Sequence, residues 1–296
     1  MRLRFLLSCC CLLFACPLVG HAEPLQELIE TLPNGCINWT KGLLEAKGSS
    51  PSGSLPDAGS RSEEQMVRQA RQEAAKHMLQ TMHQVRVDGT RYISHMMSLD
   101  YQVGAKGEEM AAAAPVVAKH RKVDGKMEVT VQMALLGPLA QLVLPESIKQ
   151  VDTIKSINSV ADGTEDEATS EVIGRQAPTD GSNAYTGLIV DARGTGAKPA
   201  MVPLLVDESG KEVYGSVFVS REYAVQQGVC MYASALAHPE QHPRVGPNPL
   251  VVKGLRTFVD RNCDIVISNA DAAKLMDVSA NLGFLKQCRV IIILDP

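Results

Sequence analysis

The residues of this chain that could do chemistry fall into a few small groups. Cys263 and Cys288 each stand two residues ahead of an apolar run, one starting at Ile265 and the other at Val290. If those runs are neighbouring parallel strands in register, the two thiols lie side by side and a disulfide can join them in an oxidising compartment. Otherwise both are small buried hydrophobes. With no C-x-x-C pair, a thiolate metal site is not expected. Asp191, Arg193 and Lys198 follow a third apolar run and offer opposite charges to a small molecule, peptide or cell-wall fragment. Gly194-Thr195-Gly196 lies among them and suggests a dinucleotide loop. Pro199 and the apolar run after it instead predict a strand where a phosphate site needs a helix N-terminus.

The remaining groups read as structural. His77 and His83 are six residues apart on a predicted helix and point in different directions, so with His95 they do not form a metal cluster. Ser220, Ser268 and Asp271 read as helix caps, and neither a Gly-x-Ser-x-Gly elbow nor a Cys/His pairing supplies a nucleophile. Trp39 reads as core against a Met-rich helix. No catalytic residue, metal ligand or cofactor is therefore expected, and the chain is read as a non-enzyme.

The elements that must position these residues fall into two halves. Between them runs an acidic stretch, Asp152 to Ala184, with Asp152, Asp162, Glu165, Asp166, Glu167, Glu171 and Asp180 against Lys155 and Arg175. Such a segment buries little apolar surface, so residues 149–184 read as a linker. In the first half, strands are predicted at Cys36–Thr40 and Leu43–Ala46, then a Ser/Pro/Gly-rich loop from Gly48 to Gly59. A helix follows over about 62–85, because Val67, Ala70, Ala74, Met78, Met82 and Val85 recur at steps of three and four. Ser60 and Glu63 have the spacing of a capping box. Thr90–Gln102 is ambiguous between helix and strand. Asp124-Gly125 between two alternating runs, 115–123 and 126–135, predicts a hairpin, and a short helix over 137–145 closes the half.

In the second half, Tyr185–Ala192 is a predicted strand, and 200–206 with 212–219 a hairpin around Glu208-Ser209-Gly210. A helix is predicted near 220–227 and a short strand at Leu250–Leu255. Asp264–Ser268, a helix from Ala270 to about 282, and Arg289–Leu294 make a strand-helix-strand unit whose strands should be parallel, joined by a right-handed crossover. The fold class is α+β: a long helix packed on an antiparallel sheet in an N-terminal domain (30–148), and a mixed α/β sheet in a C-terminal domain (185–296).

The first two dozen residues speak to location. Arg2 and Arg4 precede the apolar stretch Phe5–Val19, and Gly20 and Ala22 occupy the minus-three and minus-one positions before Glu23. That layout predicts a secretory signal over residues 1–22, hence export to the periplasm or the periplasmic face of the outer membrane. Fifteen residues containing Pro17 fall short of the roughly 20 needed to span a bilayer. A lipobox reading competes: Leu13-Phe14-Ala15-Cys16 would put a lipid on Cys16, although Phe14 departs from the short residue usual there. Membrane contact is expected only through a lipidated Cys16.

Loss of residues 1–22 takes Lys+Arg from 29 to 27 against 33 Asp+Glu, moving the net charge from -4 to -6. That acidic balance excludes nucleic acid as an expected partner. An aromatic content of 4% argues against a carbohydrate-binding face of stacked rings.

One resemblance adds to this. Trp39 with Gly42 and Ala46-Lys47-Gly48, Gln69-Ala70-Arg71 with Ala74-Ala75, Val85-Arg86-Val87-Asp88-Gly89, and Asp124-Gly125 with Glu128-Val129-Thr130-Val131 and Leu135-Leu136-Gly137 follow one another in order. Together, over about residues 30–148, they resemble the domain of bacterial outer-membrane lipoproteins that includes the flagellar assembly protein FlgP. The resemblance implies a helix on an antiparallel sheet, self-association into rings or disks around the flagellar motor, and no catalysis. The second half is similar only to C-terminal extensions of uncharacterised exported proteins. The expected function is thus a structural or assembly role in the bacterial envelope, with flagellar or other envelope proteins and further copies of itself as partners. The alternative is a ligand-binding or cell-wall-binding module in the second half.

Overall fold

The computed structural model describes residues 26–51, 60–149, 185–235, 238–276 and 279–296. The signal segment with Cys16, nearly all of the expected linker and the Ser60 side chain lie outside the described residues.

The first half is an antiparallel sheet of β1 (Ile29–Leu32), β2 (Gly35–Asn38), β3 (Leu43–Ser49), β4 (Val116–Arg121) and β5 (Met127–Ala134), in the order β1-β2-β3-β5-β4. Helix α1 (Ser60–His83) crosses one face, and Ala70, Ala74, Met78 and Met82 are fully buried against Ile37, Leu44, Ala46 and Val129. This is the expected apolar stripe, with small residues where the helix comes closest. The contact is so tight that a Cβ at Gly48 would collide with Ala74 N and Ala70 O.

The ambiguous segment is helical. It forms α2 (Ile93–Leu99) and α3 (Tyr101–Ala113), broken at Asp100, whose carboxylate accepts from the N–H groups of Gln102 and Val103. Asp100 is therefore an N-cap in mid-segment, which blurred the helical period. The β4–β5 hairpin turns at Asp124-Gly125, with Gly125 at φ +83°. Helix α4 (Pro138–Val143) ends the half.

The second half is a mixed sheet of β6 (Gly187–Asp191), β7 (Leu205–Val206), β8 (Glu212–Tyr214), β9 (Met231–Ala233), β10 (Pro249–Phe258), β11 (Arg261–Ile267) and β12 (Val290–Ile293), in the order β8-β7-β11-β10-β6-β12-β9. Helices α5 (Arg221–Gln227), α6 (Asn269–Met276) and α7 (Ser279–Lys286) connect them. Strands β10, β6, β12 and β9 run parallel, while β11 is antiparallel to β10.

This arrangement corrects one expectation. Strands β11 and β12 are neither neighbours nor parallel, because β10 and β6 lie between them and β11 runs the opposite way. The cause is a hairpin without a glycine: Asp260 itself takes φ +61° and turns a ten-residue β10 onto β11. Strand β10 thereby takes the place expected for β12.

The halves share one apolar core that runs from Ile37 and Met78 through Trp39 and Tyr232 to Val190 and Ile292. Trp39 is buried as expected, and its ring meets Tyr232 of the other half edge-on at 6.0 Å. Main-chain bonds cross the junction as well: Met201 N to Arg86 O (2.9 Å), Val202 N to Val87 O (2.8 Å) and Gly137 N to Val225 O (2.8 Å). The first two draw residues 201 and 202 away from β7, leaving that strand two residues long.

Gly48→Ala should lower the unfolding free energy by about 3 kcal/mol or more, because backbone atoms rather than a movable side chain block the added methyl. Urea denaturation followed by circular dichroism measures it, and Ala74→Gly should not restore the loss.

Candidate functional site

The expected ligand site sits where β6 and β12 end, beside the middle of β10. Asp191 and Arg193 form an ion pair at 2.7 Å, and Arg193 holds the Asp191 carboxyl below the usual carboxylate range. Lys253 of β10 stands in register beside Asp191 and lowers it further. Asp295, just past β12, accepts from Gly194 N at 2.8 Å. Lys198 stands apart: its N–H donates to Asn262 O at 2.8 Å, which ties it to the start of β11, two strands from β6. It forms no ion pair with Asp191 or Asp295 among the described residues. Lys253 and Asp295 were missed, although Asp295 is the polar residue that follows the buried run Val290–Leu294.

The expected thiol pair is not brought together. Cys263 on β11 and Cys288 ahead of β12 are free, three strand spacings apart, about 14 Å at ~4.8 Å per strand. A disulfide needs Cα atoms within about 7 Å. Burial pushes the thiols of Cys230, Cys263 and Cys288 up to about 12, 12 and 11, so all three stay protonated and unreactive at neutral pH. Cys288 now adjoins the Tyr214 and Arg244 region of the second half.

Sequence reasoning also missed what the arginines do. Arg86 Nε donates to Pro199 O at 2.9 Å, and its Nη2 pairs with Glu30. Arg221 donates to Gln141 O at 2.8 Å and to Pro145 O at 3.1 Å, closing the C-terminal end of α4 from the other half. Arg244 donates to Cys288 O, Gln227 O and Gly228 O at 2.7–2.8 Å. A cavity of about 320 Å³ lies at the same junction, lined by Trp39, Gly42 and Leu136 from one half and Met201, Cys230 and Tyr232 from the other. Its walls are chiefly apolar.

The Asp88-Gly89 turn of the first half presses on Asp264 of β11. A Cβ at Gly89 would stand 3.0 Å from Asp264 Oδ2. Asp264 is 2% exposed and meets Arg261 Nε at 3.2 Å, with Asp88 and Glu212 as the other charged groups facing it. Burial raises its carboxyl to about 6 against the opposing pull of Arg261.

Over residues 187–296, from the first residue of β6 to Pro296, the chain is similar to the family described as Treponema pallidum Tp0624, second domain. A search of the curated proteins finds no match.

The buried carboxyl sets a pH dependence. The folded chain holds the Asp264 proton more tightly than the unfolded chain, whose carboxyl titrates near 3.8. Its burden on stability is therefore present above pH 6 and fades as pH falls from 6 towards 4. The difference corresponds to about 3 kcal/mol at most. Asp264→Asn should raise the melting temperature at pH 7 and flatten its change between pH 7 and 5, as read by differential scanning calorimetry.

Proposed function

We propose that this chain is a non-enzymatic, exported structural protein of the bacterial envelope that acts by associating with further copies of itself. Assembly of flagellar or other envelope proteins is the role in view. The observation that carries this is the outer edge of the first sheet. Strand β4 pairs with β5 on one side and faces solvent on the other, with Val117 52% exposed. An open strand edge is a template for pairing with another chain. Strand β5 holds that edge through its ladder to β4 and its buried Val129 and Val131, and a stiff surface associates at lower entropic cost. Support for the envelope setting comes from the resemblance over residues 30–148 and the signal-like first 22 residues. Among the described residues, no helix is long and apolar enough to cross a membrane.

A second reading rests on the cluster of Asp191, Arg193, Lys253 and Asp295. In open α/β sheets, ligands bind outside the carboxyl ends of the strands where neighbours diverge, and β6 has β10 on one side and β12 on the other. A small polar ligand or cell-wall fragment would then be held there by a monomer.

Size-exclusion chromatography with light scattering separates the two. The first reading expects a multimer whose mass rises with protein concentration from 1 µM upward, on the order of common subunit affinities. A monomer throughout, whose melting temperature rises with added muropeptide, would favour the second.

A further inference from the structure

The first half carries two surface features of opposite charge that ion pairs within the chain neutralise only in part. One is the β4–β5 hairpin. Although the chain is net acidic at -4, residues 117–126 hold Lys119, Arg121, Lys122 and Lys126 against one acid, Asp124. Lys122 is paired with Glu128 at 2.5 Å and Lys126 with Asp124 at 3.3 Å. Lys119 and Arg121 are exposed and form no ion pair among the described residues. At the tip, Val123 is fully exposed.

The other feature is a groove of about 830 Å³ at the edge of the sheet where α1 passes the end of β2, lined by the β1–β2 turn, alternate residues of β3 and, from α1 itself, Glu73 and His77. Glu45, Glu73 and Glu128 line it, against Lys47 and His77, and Ile29, Leu32 and Pro33 form an apolar end. Glu45 has no ion-pair partner among the described residues. His77, itself on α1, meets Lys47 O at 2.5 Å and Glu73 at 3.2 Å, so it ties the helix to β3 at the groove. Beyond the β1–β2 turn, where Lys47 N donates to Asn34 O at 3.2 Å, β2 has ended and His77 takes the Lys47 carbonyl on that side of β3.

We propose that the groove of one copy receives the β4–β5 hairpin of a second copy. This rests on the self-association reading above and names its surfaces. Lys119 and Arg121 would meet Glu45 and Glu73, and Val123 would seat against Ile29, Leu32 and Pro33. Like charge along β4 disfavours pairing of two β4 edges with each other, so the basic hairpin selects an acidic acceptor. The groove is that acceptor, present on every copy.

The test uses charge reversal in the full chain, read by sedimentation velocity. Lys119→Glu with Arg121→Glu should weaken association at least about tenfold, and Glu45→Lys with Glu73→Lys should do the same. All four changes in one chain should restore it. Raising salt from 50 mM to 0.5 M should weaken the wild type and leave Val123 the main contributor. Val123→Asp, at a side chain that touches nothing in its own chain, should also weaken association, which guards against variants that fail to fold. If the wild type associates but neither reversal nor Val123→Asp changes it, the hairpin and groove are not the interface and self-association proceeds elsewhere. A wild type that stays monomeric overturns the self-association reading itself.

Discussion

Carbonyl oxygens enclosed between two packed sheets need donors, and the architecture of this chain depends on how they find them. The C-terminal end of α4 points its last carbonyls at the second half. Arg221 reaches across and supplies the missing donors. Within the second half Arg244 donates to the carbonyls of Cys288 and Gly228, and Arg86 reaches across from the first half to Pro199. A guanidinium suits this task because its five donors sit in a fixed fork and it keeps its charge when buried. Unmet, each of those carbonyls would cost about 1–3 kcal/mol.

These bonds decide more than stability. The strand-like register of residues 201–202 on Arg86 and Val87, and the edge contact of Trp39 with Tyr232, join an antiparallel sheet and a mixed sheet into a single core. The charged groups most able to do chemistry are thereby drawn inward. What remains outside is an edge strand, a basic hairpin, an acidic groove and a small ion-paired cluster at the ends of β6 and β12 beside β10. All of these are surface features, and the proposed structural role rests on them.

Much of the first half was legible. The α1 stripe and the Asp124-Gly125 turn are local signals, because helical period and positive φ act over a few residues. The break at Asp100 was not read, since a cap inside a helical stretch interrupts the period it belongs to. In the second half the apolar runs located strands correctly. They said nothing of neighbours, and a run such as Val290–Leu294 fits beside β6 or β11 equally well. The Cys263 and Cys288 reading failed on that choice, and Lys198 was grouped with Asp191 because closeness along the chain stood in for closeness in space.

The sequence by itself determined the α+β class, the long helix on an antiparallel sheet and the mixed second sheet. Each rests on patterns within a few turns or strand residues. Only the tertiary structure decided that β10 and β6 separate β11 from β12, that Arg86, Arg221 and Arg244 cap main chain, and that Asp264 is buried against the Asp88-Gly89 turn. Those outcomes depend on which distant segments bury each other's polar groups. That competition is settled over the whole core, and no local window of residues contains it.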